Sequence, residues 1–478
     1  MQNAIWIISF LGVLIAYLHR PKWGAIALLI ATMLVPFGSF NLGGPKLVRV
    51  ELLLTPIIVC FQILGIPKTG QNLQLSPVTL IYLTWVSWVG LVSLLGGADI
   101  NFIGLYGYSR FVAILFVFAN IPWSDDDVQR IQLLCVFTAI PIAILCFGQF
   151  YGVGGARELT EAAFSPASAS VIESQRDSEA SGYAYRGLGV FGNVSPTGSY
   201  FLVTMTLAVL LRGTSIRNTL LGRSVLFGGL IASMVGGATT ISGTFLGGFV
   251  PAVLLILGFS APGNRTRILR NVLVLLALAA IGVQVARSVS DTVDAHLQYQ
   301  WLKVVGGGGL TDRYSQDGVL AQAQEDFWNN PWLGVGVPVS DTFVGDSLFI
   351  TILYLGGVVG ALIFAVGMFA LMRTASRGGI AGRMAMMWTI MMLVTGIGCT
   401  SIFAGRLGDW WWAIQGMLLS QYGQRRRIVS SMVRSLPAQV RPVRSFGEQP
   451  VPGRNRDAVG AEKTRSRSFK VDRRSPPR

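Results

Sequence analysis

Residues 346–371 read DSLFITILYLGGVVGALIFAVGMFAL, and no charge interrupts the chain between Asp346 and Arg373. A helix rises ~1.5 Å per residue, so about 20 residues cross the ~30 Å hydrocarbon layer of a bilayer. Such a run spans as a helix because lipid offers no partner to an unpaired backbone N–H or C=O. Similar runs recur near 3–18, 22–37, 50–66, 77–96, 102–121, 128–150, 196–211, 224–240, 243–259, 271–288, 384–403 and 408–422. They predict an all-α polytopic integral membrane protein with about 12–13 transmembrane helices. The first run has no small-residue cleavage site before His19-Arg20, so it reads as a retained span.

Composition agrees. Of 478 residues, 52% are hydrophobic and 13% charged, about half the charge of a soluble domain. The 57 glycines suit helices that approach closely in lipid. The cysteines, Cys60, Cys135, Cys146 and Cys399, all lie in apolar runs without metal-ligand spacing, and read as small buried residues. His19 and His296 are too far apart to suggest a metal site, and none is expected.

The net charge of +15 is local. Residues 424–478 hold 15 Lys and Arg against 4 Asp and Glu, +11 of the total. This Arg-, Ser- and Pro-rich tail reads as disordered and apposed to an anionic leaflet. No aromatic platform accompanies the charge, so no nucleic-acid partner is expected. Short loops carry Arg212, Arg217 and Arg223, then Arg265, Arg267 and Arg270, then Arg373, Arg377 and Arg383. By the positive-inside rule these loops and the tail are cytoplasmic. Two such loops at 212–223 and 260–270 require a hairpin between them, turning at Ser242-Gly243. Lys46 and Arg49 fall on the opposite side in this arrangement. The expected organisation is a transmembrane domain over 1–423 and a tail over 424–478. Two long loops, 151–195 and 289–345, lie on the outer face, periplasmic in a bacterium.

Long outer loops are where site chemistry concentrates. The first begins rich in Ser, Ala and Glu, reads as flexible, and ends Arg186-Gly187 through Asn193-Val194-Ser195-Pro196. Arg186 reads either as an interfacial arginine or as an anion ligand facing a cavity. In the second loop, 291–304 reads as an interfacial amphipathic helix, and Gly306–Gly309 as a hinge, since no Lys-Ser/Thr follows for a phosphate loop. Thr311 then caps a helix carrying Arg313 to Trp328, stopped by Asn330-Pro331-Trp332-Leu333-Gly334-Val335-Gly336. Asp346 opens the next span, as cap, site carboxylate or both. Gly356, Gly357 and Gly360 read as close-packing positions. Arg110 sits within an apolar run, to snorkel, to pair with Asp99 or to serve a site. Arg406 and Asp409 precede Trp410-Trp411-Trp412, which read as an interfacial aromatic belt.

Over roughly residues 180–370 the order of these pieces resembles the O-antigen ligases and the related O-antigen or exopolysaccharide polymerases. The matching pieces are Arg186-Gly187 with Asn193–Pro196 and the hairpin turn Ile241-Ser242-Gly243-Thr244. They continue with Arg313 and Trp328–Gly336, then Asp346-Ser347 with Gly356 and Gly360. Thr244-Phe245 stands where the family often has an arginine, and Asp346 where ligases place a histidine, which looks more like the polymerase branch. The resemblance implies a GT-C-like, metal- and cofactor-independent glycosyltransferase of the bacterial inner membrane. Its substrate would be a polyprenyl-diphosphate-linked oligosaccharide, its working partners a flippase and a chain-length regulator, and its surroundings membrane lipids. Arg186 and Arg313 would stabilise the departing diphosphate, and Asp346 would accept the acceptor proton. Asn193, Trp328, Asn330, Arg110 and Arg406 would contact substrate. The alternatives are a ligase delivering glycan to another acceptor and, in another class, a transporter or flippase. No internal repeat is visible, and the polar candidates gather at the outer face, unlike the midplane sites of transporters.

Overall fold

The computed structural model describes residues 2–34, 39–41, 47–67, 73, 75–96, 101–163, 166–182, 184–260, 320–337 and 346–435, with isolated positions between 266 and 318. The chain divides at Arg427 into two units, and the contacts below lie within the first, residues 1–427.

The helices are α1 (Gln2–His19), α2 (Pro21–Leu34), α3 (Val50–Ile63), α4 (Pro77–Leu95), α5 (Phe102–Ala119), α6 (Asp125–Tyr151), α7 (Ala156–Ala163) and α8 (Pro166–Ala180). They continue with α9 (Val194–Leu211), α10 (Leu220–Thr240), α11 (Gly243–Phe259), α12 (Ala321–Asn329), α13 (Leu348–Ser376), α14 (Gly379–Thr395) and α15 (Gly405–Ser435). A two-stranded antiparallel hairpin, β1 (Ser39–Asn41) with β2 (Leu47–Arg49), joins α2 to α3. Twelve of the thirteen expected spans fall on these helices, and the span at 271–288 lies outside the described residues. Among the described residues, α4, α6, α9, α10 and α13 are long and apolar enough to cross a bilayer, and six shorter helices are apolar. The molecule is an all-α polytopic membrane protein.

Apolar burial gains little when the alternative is lipid, so packing and hydrogen bonds hold such a bundle. α9 shows how. Thr197, Ser199, Thr204 and Thr206 are buried in it, and their hydroxyls bond within the protein: Thr204 Oγ1 to Tyr200 O (3.0 Å), Thr206 Oγ1 to Leu202 O (3.0 Å). Hydroxyls satisfied this way let α9 pack against α6, α10, α11 and α14 without an unpaired polar group. α15 is buried in the same manner. The Trp410, Trp411 and Trp412 rings are fully buried; their indole N–H groups reach Leu29 O (3.1 Å), Thr389 Oγ1 (3.2 Å) and Ile402 O (3.2 Å). They form no interfacial belt: each indole finds its acceptor on packed protein.

One end of the bundle is basic. Lys22 Nζ meets Asp127 Oδ2 at 2.8 Å, Gln132 Nε2 donates to Ala381 O at 3.4 Å, and Arg377 Nη1 donates to Tyr422 Oη at 3.0 Å. These contacts bring the α1–α2 turn, the start of α6, the α13–α14 loop and α15 to the same end. α15 continues to Ser435, beyond the boundary expected at 423.

α13 is interrupted. Gly357 has φ 62° and ψ −164° inside it, a conformation open to glycine. The turn after α12 inserts there. Val335 N donates to Tyr354 O (2.7 Å), Gly336 N to Leu355 O (3.2 Å), Val358 N to Pro331 O (2.8 Å) and Val359 N to Trp332 O (3.3 Å). The break is thus repaired by strand-like bonding from outside the helix. Gly334 (φ 78°) and Gly357 let the two backbones touch: a Cβ on Gly334 would lie 2.4 Å from Gly357 N. Counting ~20 residues back from Arg373, the break sits near the opposite membrane surface from the basic end.

Candidate functional site

At that opposite end the last turn of α6 carries Gln149, whose side chain is fully buried. Its Oε1 accepts the N–H groups of both Leu188 and Gly189 at 2.9 Å, and its Nε2 donates to Thr160 Oγ1 on α7 at 2.6 Å. Thr197 Oγ1 donates to Leu188 O at 2.7 Å, and Gly187 N to Thr239 O at 2.9 Å. The segment after α8 is therefore pulled into the top of the bundle between α6, α9 and α10. Gly187 and Gly189 rest on Cys146, where an added Cβ would come within 2.9 Å of its Cβ and 3.1 Å of its Sγ.

Arg186 emerges from this clamp half-buried. Gln175, buried on α8, accepts from Arg186 Nε at 3.1 Å and from its backbone N at 3.3 Å. α8 is itself anchored. Arg157 on α7 bonds Glu179 Oε1 on α8 (2.9 Å), Gln149 O (2.6 Å) and Phe150 O (3.1 Å), and lies 4.4 Å from the Tyr185 ring centroid. The first outer loop, expected to be flexible, instead contains α7 and α8 joined into one polar network. A guanidinium held by its Nε is pre-oriented, which limits the entropy lost when it binds an anion.

The other expected residues separate into two groups. Asn193 is the N-cap of α9, its Oδ1 accepting from Ser195 N at 3.0 Å. Arg406, buried in the first turn of α15, donates through Nη1 to Val190 O and so ties α15 to the Arg186 segment. Arg110 pairs with Asp409 (Nη2 to Oδ1, 3.1 Å) inside the bundle. Asp99, the other partner expected for Arg110, lies outside the described residues. Asp409 reaches Arg110 because α5 and α15 pack against each other there, with Phe111 against Trp412.

Asp346 is half-buried one residue before the cap of α13. Ser347 is the cap, accepting from Ile350 N at 3.4 Å, which corrects the capping role expected for Asp346. Leu348 N donates to Gly396 O (2.8 Å), and the Tyr314 hydroxyl lies 2.7 Å from both Ser347 Oγ and Ile397 O. Ser199 Oγ contacts Cys399 Sγ at 3.3 Å. The segment from Gly396 to Arg406 thus bridges the start of α13, the start of α9 and the Arg186 segment. Arg186, Arg406 and Asp346 share one end of the molecule.

Arg313 lies outside the described residues, as do Thr311, Gly306–Gly309, Lys46 and most of 291–304; of the helix expected up to Trp328, the described part is α12 and a few positions before it, Tyr314 among them. Trp328 is 72% exposed and Asn330 is exposed on the flank of the bundle. Asn330 contributes its carbonyl, which accepts from Gly334 N at 2.8 Å and closes the inserted turn. Cys60 is exposed, contrary to expectation, because its side of α3 faces away from the bundle. Gln149, Arg157 and Gln175 carry no motif that marks them in the sequence, and Asp409 stands out there only as a charge beside Arg406. Polar side chains at the mouth of an apolar run, such as Gln149, are the one signal that could have marked them. Comparison with family models and with well-characterised proteins finds no match.

Proposed function

We propose that this chain is a polymerase of a bacterial surface polysaccharide. It would work in the inner membrane with the basic end and tail cytoplasmic, moving glycan from a polyprenyl-diphosphate carrier onto a lipid-linked repeat unit at the outer face. The observation that carries the reading is the convergence of the Arg186 segment, Arg406 and the Asp346 end of α13 at the end opposite the basic loops. In the reaction the acceptor hydroxyl oxygen attacks the anomeric carbon, and the carbon–oxygen bond to the diphosphate breaks. The proton passes to Asp346, and the released diphosphate gains charge that Arg186 and Arg313 offset. No metal is invoked, because fixed guanidinium groups supply the positive charge.

The interrupted α13 favours the second class, since transporters break helices where cargo binds. Here the carbonyls at the break are bonded within the chain: Tyr354 O to Val335 N, Leu355 O to Gly336 N, and Gly356 O to Trp88 Nε1 at 2.9 Å. That makes the break a built joint and leaves the enzyme reading ahead.

The test uses the full chain in proteoliposomes supplied with a polyprenyl-diphosphate-linked oligosaccharide, read as a ladder of chain lengths. Wild type should extend chains, and Arg186→Ala and Arg313→Ala should leave single units. Normal ladders from both variants would overturn the site, and transfer only to a different lipid acceptor would indicate a ligase. Movement of substrate across the vesicle with no new glycosidic bond would place the chain among transporters.

A further inference from the structure

At the basic end, far from the Arg186 segment, the α1–α2 turn and the ends of α3 and α5 enclose a cavity of about 370 Å³. Among the described residues its lining includes two cations, Arg20 and Lys22, and no carboxylate. Tyr17 and Trp23 add aromatic surface, and Ile66 and Leu73 an apolar rim. Hydrogen bonds hold the walls: Gln62 Nε2 donates to Val117 O at 3.0 Å, and Asn120 Nδ2 to Phe116 O at 3.0 Å. Lys22 is steadied from outside the cavity by Asp127 at 2.8 Å and by the Trp123 ring, 5.8 Å from its centroid. An ammonium has three donors, of which Asp127 takes one. The apolar side chains Ile15, Leu18, Ile63 and Leu64, which flank these turns, are exposed.

We infer that this cavity binds the phosphate headgroup of an anionic membrane phospholipid. Three features select that ligand together. The two cations match a phosphate diester. The volume fits a phosphoglycerol group within the usual range of ligand pockets. The flanking Ile15, Leu18, Ile63 and Leu64 give two acyl chains an apolar path, and basic pockets at the cytoplasmic ends of helices are where anionic lipids are held. The site is independent of the polymerase reading, since none of its residues belongs to the outer end.

The experiment is native mass spectrometry of the full chain in detergent, titrated separately with phosphatidylglycerol, phosphatidylcholine and inorganic phosphate. Wild type should retain one phosphatidylglycerol in preference to phosphatidylcholine and should not bind inorganic phosphate comparably. Arg20→Gln and Lys22→Gln should each weaken retention about fivefold, and together about thirtyfold, at roughly the contribution of one basic residue at a charged surface apiece. Asp127→Asn removes the same ion pair as Lys22→Gln but keeps the ammonium, so it should retain the lipid. Equal retention of both lipids, unchanged binding in Arg20→Gln, or loss in Asp127→Asn matching Lys22→Gln would overturn the assignment. Inorganic phosphate binding as tightly as the lipid would also overturn it.

Discussion

Gly357→Ala tests the inserted turn directly. A Cβ at this position would lie 2.3 Å from Trp332 O, 2.4 Å from Trp332 C and 2.6 Å from Gly334 N, all backbone atoms that cannot rotate away. The residue also holds φ 62°, ψ −164°, where a side chain costs roughly 1–3 kcal/mol. If the turn is expelled, four backbone hydrogen bonds between 331–336 and 354–359 are lost, each contributing roughly 0.5–1.5 kcal/mol net. The combined cost is about 3–9 kcal/mol. Gly247→Ala, where a Cβ meets nothing within 4 Å, is the control and should stay within about 0.5 kcal/mol of wild type. Buried Cys135, Cys146 and Cys399 report unfolding to a thiol-reactive dye on heating in detergent, once exposed Cys60 is replaced by alanine. Gly357→Ala should melt at least about 5 °C lower. Coincident melting of the two variants would mean that α13 is a continuous helix and that the 331–337 turn is not lodged in it.

Two further predictions use the same thiol assay. Arg110→Ala leaves Asp409 fully buried without its 3.1 Å partner and should cost about 3–5 kcal/mol; Arg110→Met with Asp409→Leu should recover most of that, and no recovery in the double variant would refute the pairing. Gln149→Ala strips the acceptor from Leu188 N and Gly189 N, which cover Cys146. Cys146 should then react with a water-soluble maleimide while Cys135 stays protected, whereas Gln149→Glu, which keeps the acceptor oxygen, should protect both.

The membrane helices were legible because lipid forbids unpaired backbone over ~30 Å, so each span must be an uninterrupted apolar run. Residues 346–371 and 243–259 announce themselves in this way, and the Ser242 turn between α10 and α11 follows from charge parity alone. The errors lie where local composition has two tertiary solutions. Three tryptophans beside a charge suit an interfacial belt or a buried helix, and what decides for Trp410–Trp412 is an acceptor on other segments, such as Leu29 O or Thr389 Oγ1. The Ser- and Ala-rich stretch that forms α7 and α8 has little helix signature; Arg157 and Gln175 organise it through partners that local periodicity does not reveal.

The candidate site divides along the same line. Arg186 was legible as a lone arginine at an outer loop's end, and Asp346 as the last charge before an apolar run. Their setting was not, because Gln149, Gln175 and Arg406 act on the Arg186 segment across 11 to 216 residues of chain, and Gly396 and Tyr314 act on the start of α13 from similarly distant positions. Gly356-Gly357 makes the point most sharply. Read locally, the pair is one more small-residue contact in a membrane helix. In the fold it is the place where a helix gives up its own ladder, because Gly334 brings a second backbone close enough to replace it. Gly357 in the span and Gly334 in the preceding loop thus make a joint only together, and the physical reason is that neither backbone could approach the other past a Cβ.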